Sequence, residues 1–425
     1  MVFTNEKDYL GYLESLAGLP EGFRAAAAET SFFPKERPVE KPLPLRLALV
    51  LLDKPSAAFG ALFTRNRFPG APVLIGRERL KEGAVRGVLI NNKISNVCAP
   101  RGVEDAEEVL GALAEPLGLR ANAFFPASTG IIGWSLPVKE MKGALPGLCA
   151  GLHRGSCLDA ARAIMTTDAY PKVHSVPVGE GRILGFAKGA GMIEPNLATM
   201  LVFLLTDIDI GQEALRQSLS RAAERTFNCM SVDSDQSTSD TVIALSSGTK
   251  PSVAPEVFEA ALEEVCAKLA HSIVRNGEGV SHVMRLSVSG AKSFAEARDL
   301  AKAVVNSPLV KTAVYGNDPN VGRIVSAIGD WAGNSGIEMN GKNLLVRLGE
   351  ETIFENGAFA LEAAKEKLLS AYLQDAAMDP QNKKFPPHEK CVDIFVQMKD
   401  GDASAVVYGA DLSREYVTEN ADYRS

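Results

Sequence analysis

From Met200 to Leu205 every side chain is apolar, a run that fits a strand covered on both faces rather than one half open to water. Other apolar runs predict strands at 45–52, 73–75, 85–90, 241–245 and 286–289, with a further strand ending at Phe124. Apolar positions at helical spacing predict helices over 104–117, 158–165, 213–227, 256–275 and 294–305, with weaker spacing at 6–16. Between residues 25 and 44 the chain reads as a proline-rich connection, and 379–390 as a polar excursion containing proline. Strands and helices alternate, so the pattern is mixed α/β, with a second, smaller unit opening near residue 286. Neither an internal repeat nor the glycine fingerprint of a dinucleotide-binding fold is present.

Composition narrows the function classes. The chain has 425 residues, 46% hydrophobic and 23% charged, which is ordinary for one large or two moderate globular domains. A net charge of −7 without clustered Lys and Arg argues against a nucleic-acid or anionic-membrane surface. The polar, acidic N-terminus is unlike a secretory signal, and the apolar runs are too short to span a bilayer. A cytoplasmic protein is expected. The six cysteines are scattered, with no Cys-x-x-Cys pair and no matching His spacing, so reduced thiols are expected, with no metal and no bound cofactor.

The stretch that leads into the apolar run carries the chemistry. Gly185, Gly189 and Gly191 permit positive φ and close approach of the backbone, Pro195 blocks helix, and Ala198-Thr199 stands where the loop enters the core. A β-branched Thr has few rotamers, and a small preceding Ala leaves its own carbonyl open to attack. Attack of the Thr199 hydroxyl on that carbonyl turns the peptide into an ester, and hydrolysis frees a chain beginning at Thr199. Its α-amine, with a pKa of roughly 7.7 to 8.0, then serves as the local base for further nucleophilic attack.

Two other loops bear on this. In Pro126-Ala127-Ser128-Thr129-Gly130-Ile131-Ile132-Gly133, backbone amides beside a glycine and a nearby hydroxyl could point together at a developing oxyanion, or the segment could be an ordinary strand-to-helix turn. The acidic loop Asp233 to Asp240 lacks the glycine and terminal glutamate of an EF-hand, and reads as a hydrogen-bonded structural loop.

Lys-Gly-Ala-Gly-Met-Ile-Glu-Pro-Asn-Leu-Ala-Thr-Met-Leu at 188–201 resembles the self-cleavage motif of the ornithine acetyltransferase (glutamate N-acetyltransferase) family of arginine biosynthesis. Met-Thr-Thr-Asp at 165–168, Asn-Ser-Pro-Leu-Val-Lys-Thr-Ala at 306–313, the Ser-Thr-Gly loop and the tail extend the likeness from about Gly22 to Ser425. The resemblance implies a layered α/β core of two stacked sheets with flanking helices, of the self-cleaving N-terminal-nucleophile type. The core would occupy 1–285, a smaller α/β domain 286–400, and 401–425 would return to the active site.

By the same resemblance Thr199 is nucleophile and new N-terminus, Thr129 and Gly130 form the oxyanion hole, Thr166 and Lys188 line the amino-acid pocket, and Glu278, Asn420 and Ser425 complete it. A cation for an α-carboxylate, an anion for an amine and neutral hydrogen bonds suit such substrates. The implied reaction is ping-pong acetyl transfer from N2-acetylornithine to glutamate, with acetyl-CoA open as a second donor. The two cleavage fragments would stay together as an α2β2 assembly.

Some positions depart from the family pattern: Asn91-Asn92-Lys93-Ile94-Ser95-Asn96, Thr30 to Lys35, Val280-Ser281-His282 and Val321. Lys93 and His282 are expected to alter the charge around the pocket and so bear on substrate choice. The alternatives are a self-cleaving amidohydrolase or aminopeptidase that releases the Thr199 ester to water, a member with a changed amino-acid substrate, and a non-enzymatic scaffold that keeps the fold.

Overall fold

The computed structural model describes residues 1–194, 200–382 and 384–422. Among the described residues three sheets organise the chain, and the architecture is mixed α/β. Phe23–Phe32, Leu43–Ser56, Val85–Asn91 and Phe124–Ser128 form a four-stranded sheet in that order. A five-stranded sheet runs Phe59–Phe63, Thr241–Lys250, Leu201–Ile208, Gly181–Lys188, Lys172–Val178. The apolar run is its middle strand, parallel to Thr241–Lys250 and antiparallel to Gly181–Lys188, and all eight residues are buried.

Alternation explains which faces meet. Val50, Val88 and Ile90 of the first sheet share one buried cluster with Phe186, Phe203 and Leu205 of the second. The opposite side chains, Leu47, Leu49 and Leu89, pack with residues of helices Gly102–Ala114 and Val138–Ala150, while Val202, Leu204 and Val242 pack with Gln212–Arg225 and Pro255–Arg275. Strands covered on both faces carry continuous apolar runs, which is the pattern read at 200–205.

The seven-stranded sheet joins Val283–Ala291 to Val392–Gln397 on one side and Ala403–Ala410 on the other. Met230–Ser231 pairs with Ala403–Ala410 at its end, so strands from before residue 285 and after residue 401 share this sheet. Among the described residues no helix is long and apolar enough to cross a membrane.

Three local expectations are corrected. Residues 73–75 belong to the helix Ala71–Arg79, because Pro72 in its first turn supplies a helical φ without needing a donor. The stretch after residue 22 is no proline-rich connection at first but the ten-residue strand Phe23–Phe32, paired residue by residue with Leu52 back to Leu43; its four consecutive alanines hide any alternation. Gly185, Gly189 and Gly191 do not take positive φ; in that stretch Met192 does, at 56°. Close approach is the use made of them: a Cβ on Gly185 would lie 2.7 Å from Leu269 of the covering helix.

Candidate active site

A cavity of about 280 Å³ opens where the two core sheets and the C-terminal helix Arg414–Ala421 come together, and Thr129, Gly130, Thr166, Lys188, Glu278 and Asn420 all line it. Met200 and Leu201 line it too. Ala198, Thr199 and Ser425 lie outside the described residues. Residues as far apart in the sequence as Ser95 and Asn420 therefore converge on one hollow.

Thr129 and Gly130 follow the strand Phe124–Ser128. The Thr129 amide donates to the Asn91 carbonyl at 3.1 Å and the Ile131 amide to the Lys93 carbonyl at 2.9 Å, which presses this loop onto residues 91–93. Gly130 has φ of 124°, and a Cβ there would lie 2.2 Å from the Lys93 carbonyl carbon. Only glycine fits that close approach.

Lys188 ends the strand Gly181–Lys188, and its ammonium reaches Thr129 Oγ1 at 2.8 Å and Thr166 Oγ1 at 3.4 Å. An ammonium can only donate, so Thr129 Oγ1 accepts from Lys188 and its own O–H is left to be given elsewhere. That is the state an oxyanion donor requires.

Glu278 lies past the end of helix Pro255–Arg275 and is buried, with its amide donating to the Ala190 carbonyl at 3.0 Å. Asn420 Nδ2 donates to Glu278 Oε2 at 2.8 Å. Burial pushes the Glu278 carboxyl above its ordinary range, aided by the charges of Asp233 and Glu419, while hydrogen bonds from Thr167 and Asn420 pull it back only in part. Gly191 makes room for it: a Cβ there would fall 2.3 Å from Glu278 Oε2.

The acidic loop is a hydrogen-bonded anchor, as its sequence suggested. Asp233 accepts the Met192 and Ile193 amides at 2.6 Å each, and the Tyr416 hydroxyl at 3.2 Å. Glu194 is tied in turn by Ser231 at 3.1 Å and Asn306 at 2.5 Å. Residues 192–194 are thus fixed by side chains from two later parts of the chain.

One expectation about charge does not hold. His282 does not face the cavity: its ring is buried against Ser281, Asp411 and Asn317, with Nδ1 3.0 Å from Asp411 Oδ2 and Nε2 3.1 Å from Asn317 Oδ1. Lys93 is not among the residues lining the cavity, and its backbone lies beneath Gly130. Sequence reasoning in turn assigned no role to Asp168, Lys172, Tyr416 and Thr167. Asp168 was in view as the last residue of Met-Thr-Thr-Asp, but no local pattern tells a buried anchor from a turn carboxylate.

The ArgJ family model matches residues 40–425. The chain belongs to the ArgJ family. It is 39% identical over 372 residues to an arginine biosynthesis bifunctional ArgJ protein of Nostoc, covering 87% of this chain and 91% of the relative. It is 37% identical over 417 residues to the arginine biosynthesis bifunctional protein ArgJ of Geobacter sulfurreducens, covering 95% and 99%. Among solved structures, the arginine biosynthesis bifunctional protein ArgJ of Bacillus halodurans matches at 35% identity and a TM-score of 0.47, over 53% of this chain and all of that one. The ornithine acetyltransferase family expected from the 188–201 motif is the ArgJ family found.

Proposed function

We propose that this ArgJ-family acetyltransferase of arginine biosynthesis cuts itself before Thr199 and then moves acetyl from N2-acetylornithine to glutamate. In the first step the Thr199 hydroxyl attacks the Ala198 carbonyl, the peptide C–N bond breaks, and water hydrolyses the resulting ester to leave Thr199 with a free α-amine. In transfer that amine takes the hydroxyl proton while Oγ attacks the acetyl carbonyl. Thr129 and the Gly130 amide hold the tetrahedral oxyanion. Collapse breaks the amide bond, ornithine leaves with its nitrogen protonated, and the glutamate amine removes the acetyl group from Thr199 in a second attack.

The observation that carries the reading is the cavity itself. It has a cation at one side, Lys188, an anion at another, Glu278, an orienting contact from Lys188 to Thr129, and a wall that includes Met200, the residue bonded to Thr199. An amino acid bearing a carboxylate and an amine is complementary to that pair of charges. Ser425 and Asn420 complete the same pocket in this reading.

We read the core, 1–285, as helix, sheet, sheet, helix layers of the N-terminal-nucleophile type, with 286–400 the bulk of a smaller domain whose sheet also takes in Met230–Ser231 and Ala403–Ala410, and 401–425 returning to the cavity through the helix Arg414–Ala421. The fragments 1–198 and 199–425 would stay together, because the strand Leu201–Ile208 of the second pairs with Gly181–Lys188 of the first. An α2β2 assembly in the cytoplasm, with acetyl-CoA as an open second donor, belongs to the same reading. The test is intact mass followed by transfer. The expected result is two fragments, residues 1 to 198 and 199 to 425, an uncut Thr199→Ala variant, and N-acetylglutamate formed from N2-acetylornithine and glutamate. A full-length parent chain after long incubation would remove the self-cleavage, and release of acetate without use of glutamate would favour the hydrolase.

A further inference from the structure

Behind the cavity lies a buried polar cluster that none of these steps uses. Lys172 and Asp168 form an ion pair at 2.5 Å with both side chains wholly covered. Lys172 also donates to Asn276 Oδ1 at 2.8 Å, and that oxygen accepts the Ala169 amide at 3.1 Å. A pair this deep returns little net stability compared with well-packed apolar residues. Stability alone is therefore a weak reason for its presence.

What the carboxylate touches supplies a better reason. Asp168 Oδ1 accepts the amide of Gly189 at 2.7 Å, and Oδ2 the amide of Thr166 at 3.0 Å. Gly189 directly follows Lys188. One carboxylate thus fixes the backbone at both residues whose side chains meet in the cavity, Lys188 and Thr166, while Asn276 ties the cluster to the segment that carries Glu278. Burial works against the charge of Asp168, yet Lys172 and Lys188, together with these hydrogen bonds, hold its carboxyl well below the usual range. Asp168 is an anion aimed at the base of Lys188.

We propose that Asp168 is the positioning residue for Lys188: clamped by Lys172 and Asn276, it sets the end of the strand Gly181–Lys188 and the turn at Thr166 so that the Lys188 ammonium meets the Thr129 hydroxyl. Lys172 balances the buried charge. The inference rests on the acetyl-transfer reading, since it assigns Asp168 a part in that reaction through Lys188 and not by touching substrate.

The test compares steady-state transfer from N2-acetylornithine to glutamate, on cut enzyme, in the parent chain, Asp168→Asn/Lys172→Met, Lys188→Met and the triple variant, with thermal melts alongside. Exchanging both members of the pair avoids leaving Lys172 buried and unpaired. The double variant should melt close to the parent, yet lose about ten- to a hundredfold in kcat/KM, with kcat falling and not KM alone rising, as expected of a displaced reacting group. In the Lys188→Met background the same exchange should change transfer by less than about twofold, because its effect passes through Lys188.

A folded double variant with parental kcat/KM, or a loss that adds in full to that of Lys188→Met, overturns the assignment. If the double variant does not fold, Asp168→Glu carries the test, keeping the charge but moving it by one methylene: a loss of about tenfold supports the proposal and parental transfer overturns it. A cut parent enzyme that transfers nothing removes the acetyl-transfer reading itself, and the positioning role with it.

Discussion

The two charged sides of the cavity are built differently. Lys188 stands at the end of a strand in the five-stranded sheet, beside a buried ion pair; of its hydroxyl partners, Thr166 lies in a turn fixed by that same cluster and Thr129 in a loop fixed by the carbonyls of Asn91 and Lys93. Glu278 is held by Asn420, an exposed residue on the helix Arg414–Ala421 near the chain end. The cationic side is fixed by the core; the anionic side depends on a segment that the core does not bury. Preorganisation at the first costs little during reaction, since its dipoles and charges are already in place. The second can be altered without disturbing the sheets.

Substitution at Lys188 should show the largest effect. In the proposed reaction Lys188→Met removes both the cation for the substrate carboxylate and the contact that leaves the Thr129 hydroxyl free to donate, and transfer should fall by roughly 10²- to 10³-fold. Steady-state kinetics should show the loss in kcat as well as in KM. Thr129→Ala and Gly130→Ala should approach the same size, and turnover unchanged in both would move the oxyanion hole elsewhere.

Truncation after Glu419 tests the other side. It removes Asn420 and Ser425, and two hydrogen bonds to charged groups at roughly 1.5 to 3 kcal/mol each correspond to more than about a hundredfold in kcat/KM. The truncated chain should remain folded and should still cut before Thr199, as read by intact mass. Full-rate transfer by that chain would erase the distinction between the two sides.

Tyr416→Phe is a milder probe. It removes one hydrogen bond to Asp233, worth about 0.5 to 1.5 kcal/mol, and so should slow self-cleavage or transfer by no more than about tenfold. Pulse-chase of freshly made chain separates the two. An effect as large as that of Lys188→Met would mean that the tail helix is as rigidly built into the site as the strand.

The smallest expected effect is on pH dependence. Burial raises the Glu278 carboxyl above its ordinary 4.5, so the folded chain binds this proton more readily than the unfolded chain. The stabilising contribution of the protonated form is complete below the unfolded value and is lost as pH rises through the raised one. Glu278→Gln should therefore melt a few degrees higher than the parent at neutral pH, with no difference below 4.5, while losing affinity for the amine of its substrate. Asp168 shifts the other way: its contribution is present above the ordinary carboxylate value of 3.8 and is lost only as pH falls through its lowered one. Acidification from neutrality should thus weaken the anionic side first, and KM should rise at a pH above 4.5. A KM that stays flat down to that value would place Glu278 outside the substrate contacts.

Much of this molecule is legible along the chain, and the divide follows the range of the forces involved. The apolar run at 200–205 determined a central strand because a residue covered on both faces has to be apolar, whatever its partners. Helices such as Pro255–Arg275 were readable because one stripe of a helix faces the core every turn. The 188–201 motif pointed to the ornithine acetyltransferase family by resemblance, because its residues are adjacent along the chain and need no tertiary structure to be read. The strand Phe23–Phe32 was not legible, because alanines carry no alternation and its evidence is the pairing with Leu43–Ser56. Nor could spacing reveal that His282 turns into the core, or that Asp168, a turn carboxylate by its sequence, has two backbone amides and a buried lysine around it. Burial of a charge is decided by what folds over it from elsewhere in the chain. That covering, with the meeting of Lys188 and Thr129 across 59 positions, exists only in the tertiary structure.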